Sequence, residues 1–316
     1  MTKPHVLQMG ALPDWDEAPL RAAYELHRYF EATDKTSHLA EVGPHVRAVA
    51  TRGDLGATAE MINACPSLEL ISVYGVGYDA VDLEVCRARG IAVTNTPDVL
   101  TDDCADLALG MWLALSRGIV AAEAWARSGD WVAKGGFALH HRASGKRAGV
   151  LGLGRIGMAV ARRLEGFGME IAYSARSPRA GAESWRFIPD PKDLAARSDV
   201  LFVTLAATPQ TRHIVTAQVL DALGPEGMLV NISRAQNIDE AALLDALEQG
   251  CIRGAALDVF EGEPAFDPRF AKLNNALLQP HHASGTFETR RAMGQLMRDN
   301  LAAHFAGQPL LTPVPL

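Results

Sequence analysis

The chain has 316 residues, of which 48% are hydrophobic and 21% charged, with a net charge of −7 and a pI near 5.8. That length holds two domains and a sizeable core, and the acidic balance argues against a nucleic-acid or anionic-membrane partner. The longest apolar run, Leu107 to Leu115, is too short to span a bilayer, and the opening MTKPHVLQMGALPDW lacks the apolar stretch of a signal peptide. Cys65, Cys86, Cys104 and Cys251 show no C-x-x-C or Cys/His ligand spacing. No metal is therefore expected, and the cysteines read as reduced thiols of a cytoplasmic protein.

In chain order, His5 to Met9 reads as a strand and Leu20 to Phe30 as a helix with Leu20, Tyr24 and His27 on one stripe. Val46 to Ala50 is a strand, Ala57 to Ala64 a helix and Leu70 to Val73 a strand that ends in Tyr74-Gly75-Val76-Gly77-Tyr78-Asp79. Val81 to Arg89 is a helix stopped by Gly90, and Ile91 to Val93 a strand. This alternation predicts a parallel α/β sheet. Asn95-Thr96-Pro97 breaks it, and a long helix follows with Thr101 as its N-cap and Asp102 and Asp103 in its first turn. Its apolar character from Ala105 to Leu115 predicts burial on nearly all sides. A polar, glycine-containing stretch from Ser128 to Lys146 leads to the next unit.

That unit, Ala148 to Ser177, carries the most specific signal. An apolar strand runs into Gly152-Leu153-Gly154-Arg155-Ile156-Gly157, then a helical stripe of Ile156, Val160, Leu164 and Phe167, then a strand from Met169 to Ala175. In a strand–loop–helix–strand unit, G-x-G-x-x-G binds a dinucleotide. The first glycine makes the tight turn, the second lets a pyrophosphate approach the backbone, and the third lets the helix pack on the strand. The helix N-terminus adds free N–H groups and a positive dipole end. An NAD site usually has an acid at the end of the second strand. Here the sequence reads Tyr173-Ser174-Ala175-Arg176-Ser177. Arg176 can pair with a 2′-phosphate, and Ser174 and Ser177 can donate hydrogen bonds, so NADP is expected and NAD is the weaker cofactor.

Strands then recur at Val200 to Leu205, Met228 to Ile232, Gly254 to Val259 and Leu277-Leu278, with a helix at Asp239 to Gln249 and a final one from Thr286 to Phe305. Three strand-end segments are rich in polar residues: Asn231-Ile232-Ser233-Arg234, Leu257-Asp258-Val259-Phe260-Glu261-Gly262-Glu263-Pro264, and Gln279-Pro280-His281-His282-Ala283-Ser284-Gly285-Thr286. Ligands of a doubly wound sheet sit beyond the carboxyl ends of its strands, where these segments converge.

The glycine loop, Ser233-Arg234, Leu257-Asp258-Val259-Phe260 with Glu263-Pro264, and Pro280-His281 with Ser284-Gly285 together resemble the D-isomer-specific 2-hydroxyacid dehydrogenases, in order and spacing across about residues 70 to 316. Within that family the chain looks most like the NADPH-dependent glyoxylate/hydroxypyruvate reductases. The resemblance implies an α/β protein of two Rossmann-like domains, a doubly wound parallel-sheet cofactor domain inserted in a flavodoxin-like substrate domain. The expected boundaries are residues 1–99 for the substrate domain, 100–284 for the dinucleotide domain and 285–316 for a C-terminal helix returning to the first. A homodimer is implied as well.

Residue by residue, the resemblance makes Arg234 the substrate arginine, Glu263 the acid preceding the proline and His281 the acid/base. These types suit the chemistry. A guanidinium holds a 2-keto acid's carboxylate or polarises its ketone. An imidazolium can donate a proton to the oxygen that hydride transfer charges, and a carboxylate on its other nitrogen fixes its tautomer. His282 is the competing histidine. Val76 and Gly77, with Leu100, are the expected substrate contacts, the Gly75-Val76-Gly77 loop offering backbone N–H groups to a carboxylate. A tight strand–helix turn is the plainer reading of that loop. Expected cofactor contacts are Thr101, Gly152, Gly154, Arg155, Ile156, Gly157, Ser174, Arg176, Ser177, Thr211, Ile232, Asp258, His281 and Gly285. Asp258 could instead simply cap its local turn. Reductases for larger keto acids, such as hydroxyphenylpyruvate or 2-ketogluconate, and a dinucleotide-sensing corepressor share the pattern. The compact chain favours the enzyme, and a small 2-keto acid is the expected substrate.

Overall fold

Strands and helices alternate from the start of the chain in a computed structural model that describes residues 2–316. The first hundred residues hold β1 (His5–Gln8), α1 (Asp14–Ala23), β2 (Glu25–Arg28), α2 (Lys35–Val42), β3 (Val46–Arg52), α3 (Ala59–Asn63), β4 (Leu70–Tyr74), α4 (Leu83–Arg89) and β5 (Ala92–Thr94). Next come α5 (Thr101–Arg117), α6 (Ile119–Arg127), α7 (Asp130–Lys134), β6 (Arg147–Leu151), α8 (Arg155–Glu165), β7 (Glu170–Ser174), β8 (Arg186–Phe187), α9 (Pro191–Ala196), β9 (Val200–Val203) and α10 (Ala217–Leu223). They are followed by β10 (Met228–Asn231), α11 (Glu240–Glu248), β11 (Gly254–Leu257), β12 (Ala276–Leu278) and the closing α12 (Phe287–Phe305).

Two compact units result. One holds the chain up to Leu100 together with Ser284–Leu316, and the other is Thr101–Ala283. The first has a parallel sheet in the order β2-β1-β3-β4-β5, the flavodoxin-like arrangement. Its middle strands are buried on both faces, as a parallel sheet covered by helices requires. The returning α12 packs on β4, and the Ser72 hydroxyl donates to the Met297 carbonyl across that contact. The second unit has a seven-stranded parallel sheet, β12-β11-β10-β9-β6-β7-β8. Its order reverses between β6 and β9, the topological switch point of a doubly wound sheet.

The structure departs from the sequence reading in three places. The helix expected over Leu20 to Phe30 ends at Ala23, and Glu25–Arg28 instead pairs with β1 in parallel. Pro19 and three acids in the first turn favour an earlier start. The α5 helix is less enclosed than expected: Gly110 is exposed and Leu107, Leu113, Ala114 and Leu115 are half-buried. Thr101 lies inside α5 rather than capping it. The stretch from Ser128 to Lys146 contains the short helix α7, which is preceded by Gly129 in the left-handed region, φ 84°. Among the described residues, no single helix is long and apolar enough to cross a membrane.

Candidate active site

In the second unit the carboxyl end of β6 turns sharply at Gly152, whose φ of 102° few side chains tolerate. Its N–H donates to the Ser174 carbonyl at 2.9 Å, tying the turn to the end of β7. Gly157 serves contact instead of conformation. A Cβ there would meet the Gly152 carbonyl oxygen at 2.1 Å and Thr204 Oγ1 at 2.8 Å. Gly154 precedes α8 with no side-chain cap, and a Cβ there would meet nothing within 4 Å. The first turn of an eleven-residue helix therefore faces open space beside the switch point, with Arg155 exposed and Ile156 half-buried. Such a cradle fits a dinucleotide pyrophosphate.

At the end of β7, Arg176 and Ser177 are exposed. Ser174 departs from expectation. It is buried, and its hydroxyl donates to the Pro189 carbonyl at 2.9 Å, so its proton is committed to holding its own loop. Thr211 is likewise internal to its turn. Its hydroxyl accepts from the Thr208 N–H and donates to the Ala206 carbonyl, both at 2.8 Å.

The chemistry-bearing residues sit at the carboxyl ends of β10, β11 and β12. After β10, the Asn231 carboxamide oxygen accepts from the Ser233 N–H at 3.0 Å and from its hydroxyl at 2.7 Å. The Asn231 amide donates to the Arg234 carbonyl. Buried Asn237 donates to Ser233 Oγ and to the Leu205 carbonyl, closing the network. This scaffold holds Arg234 in extended backbone, φ −141°. The buried Ile232 lies within it.

The segment after β11 brings Glu263 to His281. Glu263 Oε2 lies 2.7 Å from His281 Nδ1, and Oε1 accepts from the Phe260 N–H at 2.7 Å. Phe260 is itself fixed between Phe266 and Phe270. Burial pushes the Glu263 carboxyl up, but the hydrogen bonds from His281 and the Phe260 amide, with the charges of His281 and Arg234, outweigh it and hold the group below its usual range. An ionised carboxylate on Nδ1 assigns the hydrogen there and leaves Nε2 to act.

Asp258, buried at the end of β11, accepts from the His282 N–H at 2.7 Å and the Ala283 N–H at 2.9 Å. Burial pushes its carboxyl up against the pull of those two amides. It therefore clamps the turn in which His281 adopts a left-handed backbone, φ 52°. The turn-capping alternative for Asp258 is thus met in the structure. The exposed His282 is held by its backbone.

In the first unit the loop after β4 is anchored from both sides. The Gly75 N–H donates to Thr96 Oγ1 at 3.1 Å, the Thr96 N–H to the Gly75 carbonyl at 2.9 Å, and the Asn95 amide to the Val76 carbonyl at 2.8 Å. The Val76 and Gly77 N–H groups have no hydrogen-bond partner among the described residues, and both residues are half-buried. Two oriented donors of this kind suit a carboxylate. Leu100 is buried, while Thr101 and Gly285 are half-buried. Sequence reasoning misses Asn237 and the Phe260 amide. A second Asn six residues after Asn231 is the faint signal of the first, and a backbone donor leaves none.

A switch-point glycine cradle beside an imidazole–carboxylate pair is the equipment of a dinucleotide-dependent oxidoreductase. Residues 109–283 match the family described as D-isomer specific 2-hydroxyacid dehydrogenase, NAD binding domain, and the chain belongs to that family. A 2-hydroxyacid dehydrogenase from Ketogulonicigenium vulgare Y25 is 66% identical with a TM-score of 0.94, over 100% of this chain and 99% of that one. An NADPH-dependent glyoxylate/hydroxypyruvate reductase from Sinorhizobium meliloti, in complex with NADP and malonate, is 41% identical with a TM-score of 0.91, over 99% and 97%. A hydroxyphenylpyruvate reductase from Plectranthus scutellarioides is 45% identical over 309 residues, 98% of each chain.

Proposed function

We propose that the protein reduces a small 2-keto acid, glyoxylate or hydroxypyruvate, to the D-2-hydroxy acid with NADPH. The observation that carries the chemistry is the 2.7 Å contact between His281 Nδ1 and Glu263. The bound dinucleotide supplies the hydride. The residues supply the rest. Arg234 holds the substrate carboxylate or polarises its ketone through its planar fork. In the first unit, the Val76 and Gly77 amides are a pair of backbone donors of the kind that suits a carboxylate. As charge builds on the ketone oxygen, His281 donates a proton to it from Nε2, and Glu263 stabilises the imidazolium before that transfer. Gly152, Gly154, Arg155, Ile156 and Gly157 would hold the pyrophosphate, and Arg176 with Ser177 the 2′-phosphate.

Support for NADPH is the exposed Arg176 at the end of β7 and the NADP complex of the Sinorhizobium meliloti relative. Native enzyme should prefer NADPH to NADH, and Arg176→Ala should lower that preference about ten- to a hundredfold, as loss of a charge-assisted bidentate contact does. kcat/KM with both cofactors decides it, and equal use of the two by native enzyme would overturn the reading. A larger keto acid is the second reading, favoured by the hydroxyphenylpyruvate reductase relative. A panel of glyoxylate, hydroxypyruvate and hydroxyphenylpyruvate ranks the two. The enzyme is further proposed to be a cytoplasmic homodimer. Free, mostly buried cysteines suit a reducing compartment. The segment around α7 carries Trp131, Val132 and Leu139 at 66%, 94% and 99% exposure, an apolar surface a second copy would cover.

A further inference from the structure

A second charged concavity lies at the opposite end of the cofactor sheet, where β6, β7 and β8 begin. The register pairs Arg147 with Glu170 and Ala172 with Arg186. Side chains alternate between faces with a period of two, so Arg147, Glu170, Ala172, Arg186 and Ile188 share one face. The helix α9 packs on β6 and β7 and ends at Arg197, which closes the rim. These six residues line a shallow cup of about 70 Å³. The floor is apolar, since Ala172 and Ile188 are buried.

The charges do not cancel. Arg147 is neutralised by Asp199, with its Nη2 2.7 Å from Oδ1 and its own N–H donating to Oδ2. Glu170 supplies the one carboxylate on the lining itself, and Asp199 stands behind Arg147. Three guanidiniums thus face two carboxylates. Among the described residues, neither Arg186 nor Arg197 carries an ion pair or a side-chain hydrogen bond, and both are exposed. A net positive cup persists on a chain whose overall charge is −7.

We infer that this cup binds a phosphate group, free or carried by a small metabolite, through Arg186 and Arg197, at a site separate from the one that performs the reaction. A phosphate has enough oxygens to take paired N–H donors from two guanidinium forks at once, which a carboxylate does not. The apolar floor favours a phosphate ester whose carbon portion covers Ala172 and Ile188.

The test titrates inorganic phosphate and, separately, glycerol phosphate into enzyme saturated with NADPH, at constant ionic strength set with sodium chloride, with binding read by calorimetry. Native protein should show saturable binding, tighter for the ester if the floor contributes. Arg186→Ala/Arg197→Ala should weaken it tenfold or more while keto-acid turnover stays at the native level. Arg197→Gln, on a different element, should weaken it in the same sense and serves should the double variant misfold. Undiminished binding by the folded variants, or heat that follows chloride equally well, would overturn the proposal. Binding of inorganic phosphate with no gain for the ester would place the recognition on the phosphate alone.

Discussion

His281 and His282 are neighbours with opposite surroundings. His281 holds Glu263 through Nδ1, whereas His282 engages Asp258 only through its backbone. His281→Ala should therefore lower kcat about a hundredfold or more with NADPH binding retained, and His282→Ala should change kcat little. Steady-state kinetics with cofactor titration checks both. Glu263 gives a pH test with a fixed sign. Its folded carboxyl lies below the usual range, so its contribution to stability is complete above the unfolded value of about 4.3 and is lost as pH falls through the folded value. The stability gap between native and Glu263→Gln protein should thus be widest above that point and close on acidification, measured by urea denaturation across pH. A gap that widens in acid would contradict the arrangement. The residue types of this pair are legible in the sequence because each stands beside a proline at a strand end. Ser174 is misread because its partner is the Pro189 carbonyl, and no side-chain pattern reveals a carbonyl.

Among the elements, the β6–α8–β7 unit was the most readable, since strand, glycine turn and helix each carry their own signal in order. Its glycines differ in kind. Gly157→Ala would drive a Cβ against the Gly152 carbonyl, so one of two packed backbones must move. A loss of stability of about 1–3 kcal/mol is expected, seen as a lower Tm of the cofactor-free protein. Gly154→Ala meets open space and should leave that Tm in place while raising the Kd for NADPH. Equal Tm losses in the two variants would refute the distinction. β2 was the least readable element. Its His27 continues the helical stripe of Leu20 and Tyr24, and only pairing with β1, a contact distant in sequence, makes Glu25–Arg28 a strand. Propensity yields to such tertiary pairing.

For the molecule as a whole, the decisive fact is that the first unit is built from both ends of the chain. Asp16 of α1 is fully buried and pairs with Arg298 of α12, and Gly294 leaves the room for it. A buried pair adds little by itself, but removing one member strands the other. Arg298→Ala should cost about 3–5 kcal/mol, measured by chemical denaturation, and Asp16→Asn/Arg298→Leu should recover part of that loss. The buried thiols Cys65 and Cys86, both pushed by burial up to about 11, should stay unreactive until this unit opens.

The return of α12 also sets a timetable for the newborn chain. When Leu100 leaves the ribosome, β4 still lacks the helix that covers it, and Tyr74 lacks the Arg290 carbonyl that its hydroxyl meets at 2.8 Å. That helix arrives roughly two hundred residues later, or about ten to forty seconds at ordinary translation speeds. The continuous Thr101–Ala283 unit is complete before then. The order of maturation is thus inverted relative to the order of synthesis: the middle of the chain can settle first, while the beginning waits with an uncovered sheet face for the end to emerge.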